Sequence, residues 1–465
     1  MAAAPDRTPD SPTFALADFA TALSFDDLPE ATVAHAKLSI LDTLGCAVFG
    51  ATLPWIDMLR RFVQSEGGSG QATLWGSAVK VTRTQAALVN ATSAHSFELD
   101  DIHMGGMIHP GALALSSSLA VGEPLGIDGQ ELLAAFVAGC EVGARVGQAV
   151  GIEHFRAGYH PQGTVGVFAA GAAAARALRL DRQTGREAIG LAGTQAAGLM
   201  AAQEGSMAKR LHSGLAAQGG VRSALLAQQG FTGIANVLEA DFGGFLSTMG
   251  GGSVRPELLT HGLGGRWETD QIGFKPYASC AAAQSSIDVA GIIRESAHLS
   301  VDEIESVTIH ASTHAQLHCG WEYSPTGVTA AQMSIPYGVA SMLAHGDVSA
   351  DRFTEDAIAE PEMVALARRV AVRPDEAIDA LGPDLRYTVR FELRTTNGDI
   401  LTGVASDRPG GPTRPLTDEA VRAKFFGLTT PLLGEAGARH LQDAVDRLED
   451  LGDVGELSAL LTQLR

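Results

Sequence analysis

From Phe14 to about Leu263, apolar residues recur every three or four positions, as in Leu38, Leu41, Gly45 and Val48. That period lays them along one face of successive helices, so a sheet cannot be the main architecture of this stretch. Gly and Ala crowd the segments 111–120, 163–176 and 188–202. Small side chains let helix backbones approach closely, although a genome rich in alanine codons would give the same density and carries equal weight.

Helix starts are legible as well. Asp128 with Glu131 and Thr184 with Glu187 have the spacing of a capping box, and Pro29 suits the first turn of a long helix. After Trp267 the character changes. Val307, Thr308 and Ile309 form a β-rich run behind a Ser300/Glu303 capping box. Tyr387 to Leu393 alternates, Asn397-Gly398 offers a type I′ turn, and Ile400 to Val404 returns as a hairpin. Met333 to Leu343 reads as a helix between these strands, and Thr417 caps a final helical region with an apolar stripe at Leu441, Val445 and Leu448. The expected fold is therefore mainly α, with an α+β unit inserted into a helical one.

The charge balance narrows the partners. The chain carries 33 basic and 53 acidic residues, a net charge of −20, which disfavours nucleic acid. Only five of the basic residues are lysines, at 37, 80, 209, 275 and 424, so each stands out. Four scattered cysteines form no Cys-x-x-Cys pair, which points to a reducing compartment and against an iron–sulfur cluster. Met1–Asp10 lacks the apolar core of a secretory signal and reads as a frayed tail. The run Gly163–Ala175 falls short of membrane-spanning length. A soluble, cytoplasmic protein without nucleic-acid or membrane partners is expected.

Chemistry concentrates in a few places. His95-Ser96-Phe97-Glu98-Leu99-Asp100-Asp101-Ile102-His103, followed by His109-Pro110-Gly111, places three imidazoles among three carboxylates. Such a set can move protons near neutrality or bind a divalent metal through Asp100, Asp101, His103 and His109; as a plain solvated loop it would do neither. Gly158-Tyr159-His160-Pro161-Gln162-Gly163-Thr164 presents a histidine at a helix start, where it either meets a carboxylate or merely packs. Lys209-Arg210-Leu211-His212 is a cationic cradle in an acidic chain, or an ordinary charged face. Lys275-Pro276-Tyr277-Ala278-Ser279-Cys280 brings a thiol with no base beside it in sequence. His310, His314, His318 and Cys319 have a zinc-like spacing, but His310 follows a strand and no His-Glu-x-x-His pattern is present, so no metal site is assigned.

These blocks in this order, together with Leu41-Asp42-Thr43-Leu44-Gly45-Cys46 and Ser334-Ile335-Pro336-Tyr337, resemble the MmgE/PrpD family. Its members include 2-methylcitrate dehydratase, cis-aconitate decarboxylase and iminodisuccinate epimerase. The resemblance implies an all-helical domain from residues 1–267 and 405–465, an α+β lid domain at 268–404, and a homodimer. It also implies work on small polycarboxylates without metal or organic cofactor. By motif position it assigns Glu98 or Asp101, His109, His160 and Lys209 to catalysis. Arg210, His103, Lys275, Cys280 and Tyr337 are assigned to substrate binding. Ile102 stands where the decarboxylases place Thr, Cys280 where they place a lid His, and Glu98 replaces an Asp; these departures count against cis-aconitate decarboxylation. The expected reaction is proton removal from a carbon next to a carboxylate, with Lys209 and Arg210 holding that carboxylate and Asp101 orienting an imidazole. β-Elimination then gives a hydro-lyase of the 2-methylcitrate dehydratase kind. Reprotonation gives an epimerase and loss of CO2 a decarboxylase, while a homodimeric binding protein without catalysis is the remaining alternative.

Overall fold

The computed structural model describes residues 11–382, 385–462 and 464, and the expectation about Met1–Asp10 lies outside them. The protein is mainly α, as its periodicity predicts. The helices Glu30–Gly50, Arg83–Ala94, Pro110–Gly122, Gly129–Val150, Gly166–Ala177 and Ala208–Gln228 pack on one another, and Asp418–Asp446 returns against Glu30–Gly50. Glu30–Gly50 and Gly129–Val150 are each long and apolar enough to span a bilayer, longer than the Gly163–Ala175 run singled out from sequence. Their apolar windows are 78% and 100% buried inside this fold, as core helices would be.

The small residues act where helices cross. A Cβ placed on Gly214 would lie 2.1 Å from Thr92 Oγ1 and 2.3 Å from the Leu88 carbonyl. The Ala208–Gln228 helix can therefore touch the Arg83–Ala94 helix backbone to backbone, and any larger residue at 214 would separate them.

Among the described residues, buried apolar side chains fall into two clusters. One runs from Leu16 to Phe274 and resumes at Val421; the other spans Ala278 to Ala405 and takes in Cys46, Phe97, Leu99 and Leu428. The second surrounds a four-stranded sheet in the order Val370–Pro374, Ile304–Ala311, Val389–Thr395, Ile400–Ala405. Its first pair is parallel and the others antiparallel. The helices Ala281–Ala297 and Ile335–His345 pack together beside it. A two-residue ladder, Ile102–His103 against Ile272–Gly273, ties the His95–Gly111 block to the segment that carries Lys275.

Three local expectations are corrected. Asp181, not Thr184, caps the Arg182–Ala192 helix, because its carboxylate reaches the Thr184 N–H while Thr184 already lies inside the first turn. Gly398 has φ +91° but Asn397 is not left-handed, so the hairpin turn is not type I′, which needs both. Pro29 is the N-cap of Glu30–Gly50 and stands one place before its first turn.

Candidate active site

Two His-Pro steps build the site's entrance. Pro110 opens the Pro110–Gly122 helix and Pro161 the short Pro161–Thr164 helix. Proline at the first helical position fixes φ and keeps the preceding residue extended, which holds His109 and His160 at the helix mouths. Gln162 locks the two together: its Oε1 accepts from the His109 N–H at 2.8 Å, and its Nε2 donates to the His109 carbonyl and to Ser213 Oγ.

Beneath them lies a buried ionic cluster. Glu98 accepts from Lys209 and Arg210, and Lys275 Nζ is 3.3 Å from its other oxygen. Burial alone would raise the Glu98 pKa, but these three cations more than offset it and hold the carboxyl well below its usual range. Burial, with Arg210 adding to it, lowers the Lys209 ammonium despite Glu98. For Lys275, Glu98 and Asp100 outweigh burial and raise it. With Asp100 ionised, three cations face two carboxylates, which leaves this core net positive inside an acidic protein.

Asp100 is the carboxylate that serves the imidazoles. It lies 2.7 Å from His95 Nδ1 and 3.2 Å from His109 Nδ1. Burial pushes its pKa up, but His109, His95 and Lys275 overcome this and hold it well below the ordinary value. His109 Nδ1 also sits 2.7 Å from the Asp101 carbonyl, an oxygen that can only accept, so Nδ1 carries a proton and Nε2 is the nitrogen that can exchange one. The sequence expectation that the Asp101 side chain orients an imidazole is therefore corrected. That carboxyl accepts from Ser39 Oγ at 2.8 Å and from the Gly111 N–H at 3.0 Å. Burial next to Asp100 and Asp42 raises its pKa well above normal. A Cβ on Gly111 would lie 2.7 Å from Asp101 Oδ2 and 2.1 Å from Thr43 Oγ1, so only glycine lets the helix start here.

Burial disfavours the charged form of His95, His160 and His212. Burial, with Asp100 only partly compensating, brings His95 down to about 3. Burial and the neighbouring Lys209 lower His160 well below 6.5. His160 Nδ1 lies 2.8 Å from His212 Nδ1, so one of these nitrogens donates and the other accepts. His212 is only partly buried and leads outward.

One cleft gathers Glu98, His109, His160, Lys209 and Cys280 with His314, His318 and Arg386. Apart from Tyr387, the rest of its lining, including Ile102, Met107, Phe155, Met200 and Met333, is apolar. Glu98 and Met107 have left-handed φ of +55° and +54°, an uncommon conformation for side-chain-bearing residues and one that marks constrained sites.

Not every predicted residue reaches this cleft. His103 Nε2 pairs with Glu268 at 3.1 Å and its Nδ1 accepts from the Gly106 N–H; it faces an adjacent cavity. Tyr337 stacks on Tyr323 and donates its hydroxyl to the Arg352 carbonyl at 2.5 Å, which places it in the second core. Arg210 and Lys275 are buried behind Glu98, so they set the charge of the site without lining it. Conversely, sequence reasoning gave no role to Gln332. Its side chain joins Phe97 and Arg210, and its carbonyl accepts from the Cys280 N–H, clasping three of the blocks. A lone glutamine carries no signal for that. Among the described residues, two groups have metal-ligand proximity: His95, Asp100 and His109, and separately Cys280, His318 and Cys319. Of the four metal ligands considered from sequence, only Asp100 and His109 converge.

A helical fold with a net-positive, imidazole-lined cleft is the class of protein on view. The MmgE/PrpD N-terminal domain matches residues 15–257 and the MmgE/PrpD C-terminal domain matches residues 277–450. The chain belongs to the MmgE/PrpD family. It is 31% identical to a cis-aconitate decarboxylase of Aspergillus terreus over 97% of this chain and 95% of the fungal protein. It is 28% identical to the human cis-aconitate decarboxylase, covering 95% of this chain and 93% of that one, and 26% identical to the mouse protein of the same name, covering 94% and 91%. These relatives are lyases.

Proposed function

We propose that this protein is a lyase of a small polycarboxylate, working by proton transfer at a carbon next to a carboxylate. The observation that carries the reading is that Lys209 and the imidazoles of His109 and His160 line one cleft. Lys209 would hold the substrate carboxylate and stabilise the enediolate that forms when the adjacent C–H is broken. His109, oriented through Nδ1, offers Nε2 as a base; His160 exchanges its proton with His212 and through it with solvent. Residues 268–404 would act as the lid over this cleft, within a cytoplasmic homodimer.

The apolar wall of Ile102, Met107, Phe155, Met200 and Met333 favours a substrate with a small apolar substituent. For that reason we place β-elimination from a 2-methylcitrate-like acid first. Decarboxylation of cis-aconitate is the second reading, favoured by the names of the relatives. Incubation of 2-methylcitrate, cis-aconitate and chiral dicarboxylates in D2O tests both. Turnover of 2-methylcitrate at least about tenfold more efficient than of cis-aconitate, with deuterium in recovered substrate, is expected. The reverse ranking with CO2 release would select decarboxylation, and deuterium uptake with loss of chirality would select epimerisation. Binding without any conversion or exchange would leave only the non-catalytic protein.

A further inference from the structure

The cleft wall holds a cluster that this chemistry does not use. Cys280 precedes the Ala281–Ala297 helix and Cys319 ends the Thr313–Cys319 helix; the two helices touch, which brings both thiols to His318. The two sulfurs and a ring nitrogen of His318 lie within 4.8 Å of one another. Cys280 Sγ is 3.9 Å from each ring nitrogen. In a tetrahedral zinc site, Zn–S bonds of about 2.3 Å and Zn–N bonds of about 2.0–2.1 Å put ligand atoms roughly 3.5–3.8 Å apart. The cluster is thus within about an ångström and a turn of one imidazole of that geometry.

Its chemistry agrees with its shape. Two thiolates would neutralise a divalent ion, and thiolate with imidazole selects thiophilic metals over magnesium or calcium. Cys280 and His318 line the cleft, while His318 also lines the broader cavity beside Leu317, Met200 and Phe155, which gives an ion a way in.

We propose that Cys280, Cys319 and His318 form a binding site for a thiophilic cation such as Zn2+, with its fourth coordination position open to the cleft. The ion shares that cleft with Lys209, so its occupancy inhibits binding of a polycarboxylate. The site is separate from His95, Asp100 and His109, where Asp100 is also engaged by Lys275.

The test uses the full chain, metal-free and kept reduced by a phosphine, titrated with Co2+ and then with Zn2+ against a chromophoric chelator. One equivalent of Co2+ should give a thiolate-to-cobalt charge-transfer band that Zn2+ abolishes. Cys319→Ser leaves every cleft-lining side chain in place; it should lose the band and bind Zn2+ at least about tenfold more weakly. His318→Gln, with folding checked by circular dichroism, should weaken Zn2+ binding to the same degree and replaces Cys319→Ser should that variant fold poorly. Absence of the band, or equal Zn2+ affinity in wild type and variants, overturns the site. The spectral readout needs no turnover, so it stands or falls apart from the lyase reading. Where turnover is found, Zn2+ should inhibit wild type and spare Cys319→Ser.

Discussion

Lys209 meets two demands at one atom. It closes the buried pair with Glu98 and it faces the cleft, so its removal strips the site of charge while Arg210 and Lys275 still compensate Glu98. Lys209→Ala is therefore expected to fold and to slow turnover at least about a hundredfold, the scale of a lost electrostatic group. His160→Ala should cost about the same by removing a proton carrier. Unaltered kinetics in both variants, with melting temperatures near wild type, would mean that the cleft is not where the reaction occurs. Cys280→Ser should change the rate only a few-fold, because His109 and His160 supply the proton-transfer groups; near-complete inactivation would move the thiol into the chemistry. Glu98→Ala is different in kind. It leaves three buried cations without their shared carboxylate and should destabilise the fold by about 3–5 kcal/mol, read by denaturant titration.

At the scale of elements, the site depends on how closely two helices lie. The Arg83–Ala94 helix runs into His95 and Glu98, and the Ala208–Gln228 helix begins with Lys209 and Arg210. Gly214 sets their separation, so Gly214→Ala should cost about 1–3 kcal/mol and lower turnover as the Glu98–Lys209 contact is stretched. An unchanged melting temperature and rate would show that the crossing has slack. This crossing also shows what a sequence can and cannot disclose. Gly and Ala density with a 3.6-residue period makes the helices legible, and His109, His160, Glu98 and Lys209 are chemically conspicuous against a background poor in lysine. The partner of each imidazole is not legible: Asp100 and Asp101 are adjacent and identical in type, and only the start of the Pro110–Gly122 helix turns Asp101 toward Ser39 and Gly111. Gln332 and the Cys280–Cys319 meeting depend on how distant elements pack, which no local spacing encodes. Tyr337 follows a motif but is turned inward by its Arg352 hydrogen bond.

Taken as one molecule, the protein stores many neutral imidazoles. Burial is the largest cause lowering the pKa of His35, His95, His154, His160, His212 and His314 from 6.5. The unfolded chain would protonate these rings as pH falls through 6.5 while the folded chain resists. The unfolded state then binds more protons, and stability declines with acidification. Burial raises Asp42, Asp101 and Glu141, whose protonated forms the fold prefers, and these oppose the trend. Six depressed imidazoles outnumber three raised carboxylates, so the imidazoles set the sign between about pH 6.5 and 5. Glu98 and Asp100, held low by their cationic neighbours, withdraw their contribution only at lower pH, as they too become protonated. Calorimetric melting should therefore move to lower temperature between pH 7.5 and 5.5, and His314→Phe, which removes a ring held at about 2, should flatten the slope. A melting temperature that rises on acidification would mean that the raised carboxylates dominate, and that the buried network is governed by Asp101 and its neighbours rather than by its histidines.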